Sequence, residues 1–157
     1  MSLVVRFVTR LLTVALVGAL AACASAPSTS VTLYDRLGGA TMVDTIAARL
    51  VEGFASSPDG LRAFDRVKLP RVKRGLGEFL CVVADGPCDY AGDDMKVVHA
   101  GLRITEREFN ALVEQLRVTL DALDVPQGAK NELLRRLAPM RRDIVSASVD
   151  VQHGDDS

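Results

Sequence analysis

His99 is the side chain of this sequence best suited to chemistry. One of two histidines, it stands inside the run MKVVHAGLRIT from Met95 to Thr105, whereas His153 belongs to a polar C-terminal tail. A neutral imidazole ligates iron or zinc, and an axial histidine lets a helical protein hold haem. By residue type alone, a histidine flanked by apolar residues is more often a packed side chain than a ligand, so its surroundings must decide. Other reactive constellations are poorly represented. There is no glycine-rich phosphate loop, no serine triad and no Cys-x-x-Cys pair, and Asp93-Asp94 reads as a charge pair at a helix N-terminus.

The three cysteines divide into two roles. Cys23 follows Arg6, Arg10 and the apolar run Leu11 to Leu20, an arrangement of charged start, apolar core and small-residue cleavage site that marks residues 1–22 as a secretory signal. The apolar run is too short for a comfortable membrane span. Leu20-Ala21-Ala22-Cys23 resembles the lipobox of bacterial lipoproteins, which implies lipidation of Cys23 as the first mature residue. An ordinary signal peptide cleaved near Ala24 or Ala26 is the alternative. Residues 23–30, with Pro27 and three serines after Cys23, read as a flexible tether. Alanine, not aspartate, follows the cysteine, so the expectation is an exported domain, lipid-anchored on the periplasmic side of the bacterial envelope and sorted to the outer membrane. In that oxidising compartment Cys81, ending one helix, and Cys88, beyond a Gly-Pro turn, can meet in a disulfide. Two buried thiols remain the other possibility.

The rest of the chain must position His99. With 157 residues, a net charge of −1 and no tryptophan, it is one domain's worth of sequence without the basic excess that nucleic acid would demand. From Val31 onward no stretch alternates well enough for a strand, and the spacing predicts an all-α domain over residues 31–148 followed by a disordered tail over 149–157. A short first helix at Leu33 to Leu37 ends at Gly38-Gly39. A second begins at Thr41 and buries Val43, Ile46, Ala47, Leu50, Val51 and Phe54. Pro70 opens a third in its first turn, with Val72, Leu76, Phe79, Leu80 and Val83 inward. Asp93 to Gly101 carries His99. Thr105 and Glu108 form a capping box for the helix of Phe109, Leu112, Val113, Leu116 and Leu120. Asp124 to Gln127 repeats the capping device for a last helix, kinked at Pro139, that buries Leu133, Leu134, Leu137, Met140, Ile144 and Val145.

Three separated motifs, TLYDRLGG at Thr32 to Gly39, DGPCDYAGDDMKVVHAGLRIT at Asp85 to Thr105, and LDVPQGAKNELLRRLAPMRRDIV at Leu123 to Val145, resemble the first group of truncated haemoglobins in order and spacing. The resemblance covers nearly all of residues 31–146. It implies a two-over-two helical sandwich around haem b, with His99 as the proximal iron ligand and Phe64 as the ring stacked on the porphyrin. A flat macrocycle also needs apolar walls and cations for its propionates. Leu102, Ile104, Phe109, Leu112 and Val113 follow the ligand at spacings suited to a proximal wall, and Arg71, Lys73, Arg74 and Lys96 are candidate propionate partners.

The departures from the family's pattern concern the gas side. Where the family carries phenylalanine and tyrosine in the helix after the double glycine, this chain has Leu50 and Val51. The matching gate and glutamine positions hold Val72 and Leu76, and Ala63 replaces a phenylalanine before Phe64. The implied distal pocket, Leu50, Val51, Val72, Leu76 and Phe79, offers no hydrogen-bond donor. Two functions follow as expectations: reversible binding of dioxygen, or of nitric oxide or carbon monoxide, at haem iron; or a truncated-globin scaffold without haem, acting as a structural or interaction lipoprotein. Peroxidase or dioxygenase chemistry needs polar distal groups, so an enzyme is disfavoured.

Overall fold

The computed structural model describes residues 30–64 and 67–150. The signal segment, the Cys23 lipidation site, most of the tether and the tail beyond Asp150 lie outside the described residues. Among the described residues there are seven helices and no strand: α1 (Leu33–Leu37), α2 (Gly39–Ala55), α3 (Leu69–Val83), α4 (Met95–His99), α5 (Glu106–Ala122), α6 (Gln127–Leu137) and α7 (Met140–Asp150). None of them is long and apolar enough to cross a membrane.

Local chemistry accounts for most boundaries. Thr32 and Asp35 form a reciprocal capping box on α1, the Thr32 hydroxyl accepting from the Asp35 amide at 3.1 Å and the Asp35 carboxylate accepting from the Thr32 amide at 3.0 Å. Gly38 and Gly39 take φ of 107° and 73°, left-handed values that side chains resist, and so reverse the chain between α1 and α2. Because the reversal is complete within the two glycines, α2 starts at Gly39 and not at Thr41. Thr105 and Glu108 cap α5 as the spacing predicts. The expected cap on α6 does not form. Asp124 is spent in the turn that ends α5, at φ 53°, and rigid Pro126 occupies the N-cap without a side-chain bond. Pro139 interrupts the helix outright, leaving α6 to end at Leu137 and α7 to run through Asp150, past the expected domain edge.

α2 is the central element, packed against α3 on one side and α5 on another, while α1 rests on α2 and α6. Its buried positions, Val43, Ile46, Ala47, Leu50, Val51 and Phe54, are those the helical spacing predicts. At the α2–α3 crossing Gly77 is buried, and a Cβ there would lie 2.8 Å from an Asp44 carboxylate oxygen, so a larger residue would require the Asp44 side chain to move. The main core joins Leu33, Ile46, Leu80, Leu120 and Leu133, with Leu76 and Leu112 packed against it. α4 stands apart from that core, resting on α7.

The two cysteines left open by the sequence are joined. Cys81 and Cys88 form a disulfide that closes the turn after α3. The same turn is tied to its neighbours by Tyr34, whose amide donates to the Ala84 carbonyl at 2.7 Å, and by Arg136, which donates to the Val83 carbonyl and the Asp85 carboxylate, both at 2.7 Å. The strand of chain that leads to α4 is therefore fastened where it leaves α3.

Candidate functional site

α4 is short, and its placement depends on its ends. Asp94 is the N-cap, its carboxylate accepting from the Val97 amide at 2.8 Å, which accounts for one member of the Asp93-Asp94 pair. His99 closes the helix, half-buried, with Nδ1 2.8 Å from the Met95 carbonyl oxygen. A carbonyl can only accept, so Nδ1 carries the proton and Nε2 keeps its lone pair. Nε2 has no hydrogen-bond partner among the described residues. This tautomer is the one that binds a metal, oriented by the bond the other nitrogen makes. Among the described residues no three His, Cys, Asp or Glu side chains converge to hold an ion by themselves. A metal that brought its other donors with it would need only one from the protein, and the Nε2 of His99 is chemically suited to be that donor.

The remaining sequence-derived positions fall into three groups. Leu50 and Val51 are buried on α2, at 4% and 2% exposure, and Leu50 belongs to the core against which Leu76 of α3 packs. Val72, Leu76 and Phe79 on α3 are half-buried, as are Ile104 and Phe109 at the start of α5. Phe64 meets the edge of Phe54, with centroids 6.0 Å apart, and Phe79 meets Tyr90 at 5.5 Å. A cleft of about 570 Å³ lined by Phe79, Tyr90, Met95, Lys96 and Met140 connects α3 to the base of the helix that carries His99. Leu102 is the residue least enclosed, 43% exposed in the loop after α4.

The candidate cations are unequal. Lys73 is ion-paired with Glu52. Arg71 and Arg74 are exposed and border, with Val67, Lys68 and Pro70, an open groove of about 690 Å³ at the start of α3. Lys96 is exposed beside the cleft of Phe79 and Tyr90. Burial, with the Asp93 and Glu78 charges, holds the Tyr90 phenol above its ordinary range, so Tyr90 stays a neutral donor, its hydroxyl bonded to the Asp93 carbonyl at 3.0 Å.

Sequence reasoning passes over one group of contacts. Arg62, in the loop after α2, donates from Nε to Glu108 Oε1 at 2.9 Å and from Nη2 to Oε1 and Oε2 at 2.6 and 2.7 Å. Burial pushes the Glu108 carboxyl up, yet the Thr105 amide and hydroxyl together with Arg62 more than offset this, and its pKa lies below the usual carboxylate range. Glu108 is legible in the sequence as a capping residue. Nothing in the spacing signals Arg62, which stands 46 residues away.

The family model for bacterial-like globins matches residues 32–146. The group 1 truncated haemoglobin GlbN of Mycolicibacterium paratuberculosis is 28% identical over 114 residues, 73% of this chain and 84% of that protein. That of Nostoc commune is 25% identical over 115 residues, covering 73% and 98%. The fold matches the Fe(III) truncated haemoglobin of Tetrahymena pyriformis with a TM-score of 0.69 at 24% identity, over 73% of this chain and 97% of the other. It also matches the 2/2 haemoglobin of Synechococcus sp. PCC 7002, solved in the cyanomet state with covalently attached haem, with the same TM-score at 25% identity over 73% and 98%.

Proposed function

The chain belongs to the bacterial-like globin family, and we propose that it is a haem b protein that binds a diatomic gas reversibly, with His99 as the axial ligand. The observation that carries this reading is the His99 imidazole, its Nδ1 proton engaged by the Met95 carbonyl and its Nε2 lone pair left for a metal. Ferrous haem iron supplies, when bound, reversible coordination of dioxygen, nitric oxide or carbon monoxide. The residues present suit such a group. Phe64, Ile104 and Phe109 are half-buried apolar side chains, the class of surface that takes a flat apolar ligand, and Leu102 is an exposed one in the loop that follows His99. Arg71, Lys73, Arg74 and Lys96 are the cations from which its carboxylates would draw partners.

On the gas side, Leu50, Val51, Val72, Leu76 and Phe79 present only carbon. They exclude water and donate no hydrogen bond, so they neither hold a polarised ligand nor move a proton. We read the protein for that reason as a gas binder and not as an oxygen-activating enzyme.

The same reading includes export and attachment through a lipidated Cys23 to the periplasmic side of the outer membrane. The Cys81–Cys88 disulfide supports it, since such bridges persist in oxidising compartments and are rare where glutathione keeps thiols reduced.

The test is the absorption spectrum of the purified protein after titration with haem, for the wild type and for His99→Ala. A haem band in the wild type that changes or vanishes in the variant is the expected result. A folded wild type that takes up no haem overturns the proposal in favour of a haem-free scaffold.

A further inference from the structure

The turn that follows His99 and the loop after α2 are joined by one side chain. The turn after α4 passes through Gly101 and Arg103, both left-handed, at φ 74° and 54°. Arg103 is not a glycine, so its backbone conformation is costly unless the surroundings hold it. Arg62 holds it. Its Nη1 donates to the Leu102 carbonyl at 3.0 Å and its Nη2 to the Arg103 carbonyl at 3.0 Å. The Leu102 amide in turn donates to the His99 carbonyl at 3.2 Å. A continuous line of hydrogen bonds thus runs from the guanidinium to the backbone of the histidine.

The other end of Arg62 is anchored as firmly. Glu108 is buried at 8% exposure, and its two carboxylate oxygens are shared between Arg62 and Thr105, the N-cap of α5. A second ion pair, Arg107 with Asp59 at 2.8 Å, fastens the same loop to the same helix turn. Two residues beyond Arg62 the loop carries Phe64, whose ring meets Phe54. Only a planar fork with several fixed donors can reach a carboxylate and two successive carbonyls at once, whereas a lysine ammonium is a single point.

We propose that Arg62 is a positioning residue for the axial ligand: paired with Glu108, it locks the turn from Gly101 to Thr105 and so determines where α4 presents the His99 imidazole. The inference rests on the assignment of His99 as the haem ligand, and it adds a residue that acts through the backbone carbonyls of Leu102 and Arg103.

The experiment compares wild type, Arg62→Met and Arg62→Lys in two states. In the haem-free protein, hydrogen exchange of the Leu102 amide is expected to quicken by about tenfold or more in both variants, because the turn that keeps it bonded to the His99 carbonyl loses the charge-assisted bonds from Arg62 to its own carbonyls. The core amides of Leu116 and Leu120 should stay as protected as in the wild type. In the loaded ferrous protein, the iron–histidine stretching band by resonance Raman should shift or broaden in both variants. Leu102 protection equal to the wild type, or an unchanged iron–histidine band, overturns the proposal. So does exchange that quickens equally at Leu116, since that is the mark of general destabilisation. Arg62→Lys keeps a charge opposite Glu108 and serves if Arg62→Met does not fold. A wild type with no His99-dependent band overturns the haem assignment itself, and the exchange measurement, which needs no haem, tells the two failures apart.

Discussion

The Nδ1 nitrogen of His99 lies 2.8 Å from the carbonyl oxygen of Met95, one turn back on the same helix. The bond chooses the tautomer and the direction of the free nitrogen together. Removing a group that only orients a metal ligand costs about 10- to 100-fold in affinity. His99→Ala removes the proposed ligand itself, so haem retention should fall by more than about 100-fold, measured as the rate of haem transfer to an apo-globin acceptor. Transfer no faster than from the wild type would mean that another residue ligates the iron.

Val51 is 2% exposed on α2, at a position with no polar atom to offer. A gas that becomes polarised on binding gains about 1.5–3 kcal/mol from a buried donor when the hydrogen bond involves charge. Val51→Tyr should therefore slow oxygen dissociation by roughly tenfold or more, and Leu76→Gln should act in the same direction with less added bulk. Carbon monoxide release should change less. Stopped-flow dissociation rates check this, and slow release in the wild type that neither substitution alters would show that a different group guards the ligand.

Cys81 and Cys88 are separated by seven positions, so their bridge closes a short loop. Constraint of the unfolded chain by a loop of that size contributes about 2.5 kcal/mol. The Cys81→Ala/Cys88→Ala double variant should unfold at correspondingly lower denaturant. Thiol labelling of the oxidised protein should find both cysteines protected until reductant is added.

Glu132 accepts from Arg135 at 2.7 Å and from Arg136 at 2.8 Å, and these bonds hold its pKa at about 2, against an ordinary value of 4.5. Glu108 is lowered in the same direction. Carboxylates held low bind fewer protons in the folded state than in the unfolded one, so stability rises with pH across the window between the two values. The Glu132 contribution should be complete above about pH 4.5 and lost as the pH falls towards about 2, with Glu108 acting in the same direction. Urea midpoints across that range should show the fall, with a shallower slope in Arg136→Met than in the wild type.

Cys23 has a chemical test of its own. A single acyl chain binds membranes marginally and several bind stably, so a lipidated Cys23 should hold the wild type in the membrane fraction. Cys23→Ser should leave an uncleaved or mislocalised protein. Intact mass spectrometry showing no acyl mass on the wild type would sink the lipobox reading.

Features whose partners lie within one helical turn were legible in the sequence. The capping box of Thr105 and Glu108 and the buried face of α2 rest on contacts three or four residues apart, and a spacing argument reaches that far, as it did in placing the Asp93-Asp94 pair at the start of α4. His99 was legible by residue type and by the resemblance of the motif around it, whereas its Nδ1 contact with the Met95 carbonyl came only from the structure. What the chain order could not decide was anything that depends on which loops approach one another. Whether Cys81 met Cys88, whether Asp124 capped α6 or turned the chain, and whether Pro139 bent a helix or ended it were settled by packing, because in each case two local geometries were open and neighbouring elements selected one. The pairing of Arg62 with Glu108 is the clearest instance. Glu108 was legible as a cap and Arg62 was not, because 46 positions of intervening chain had to fold before the guanidinium could reach the carboxylate and the turn behind His99.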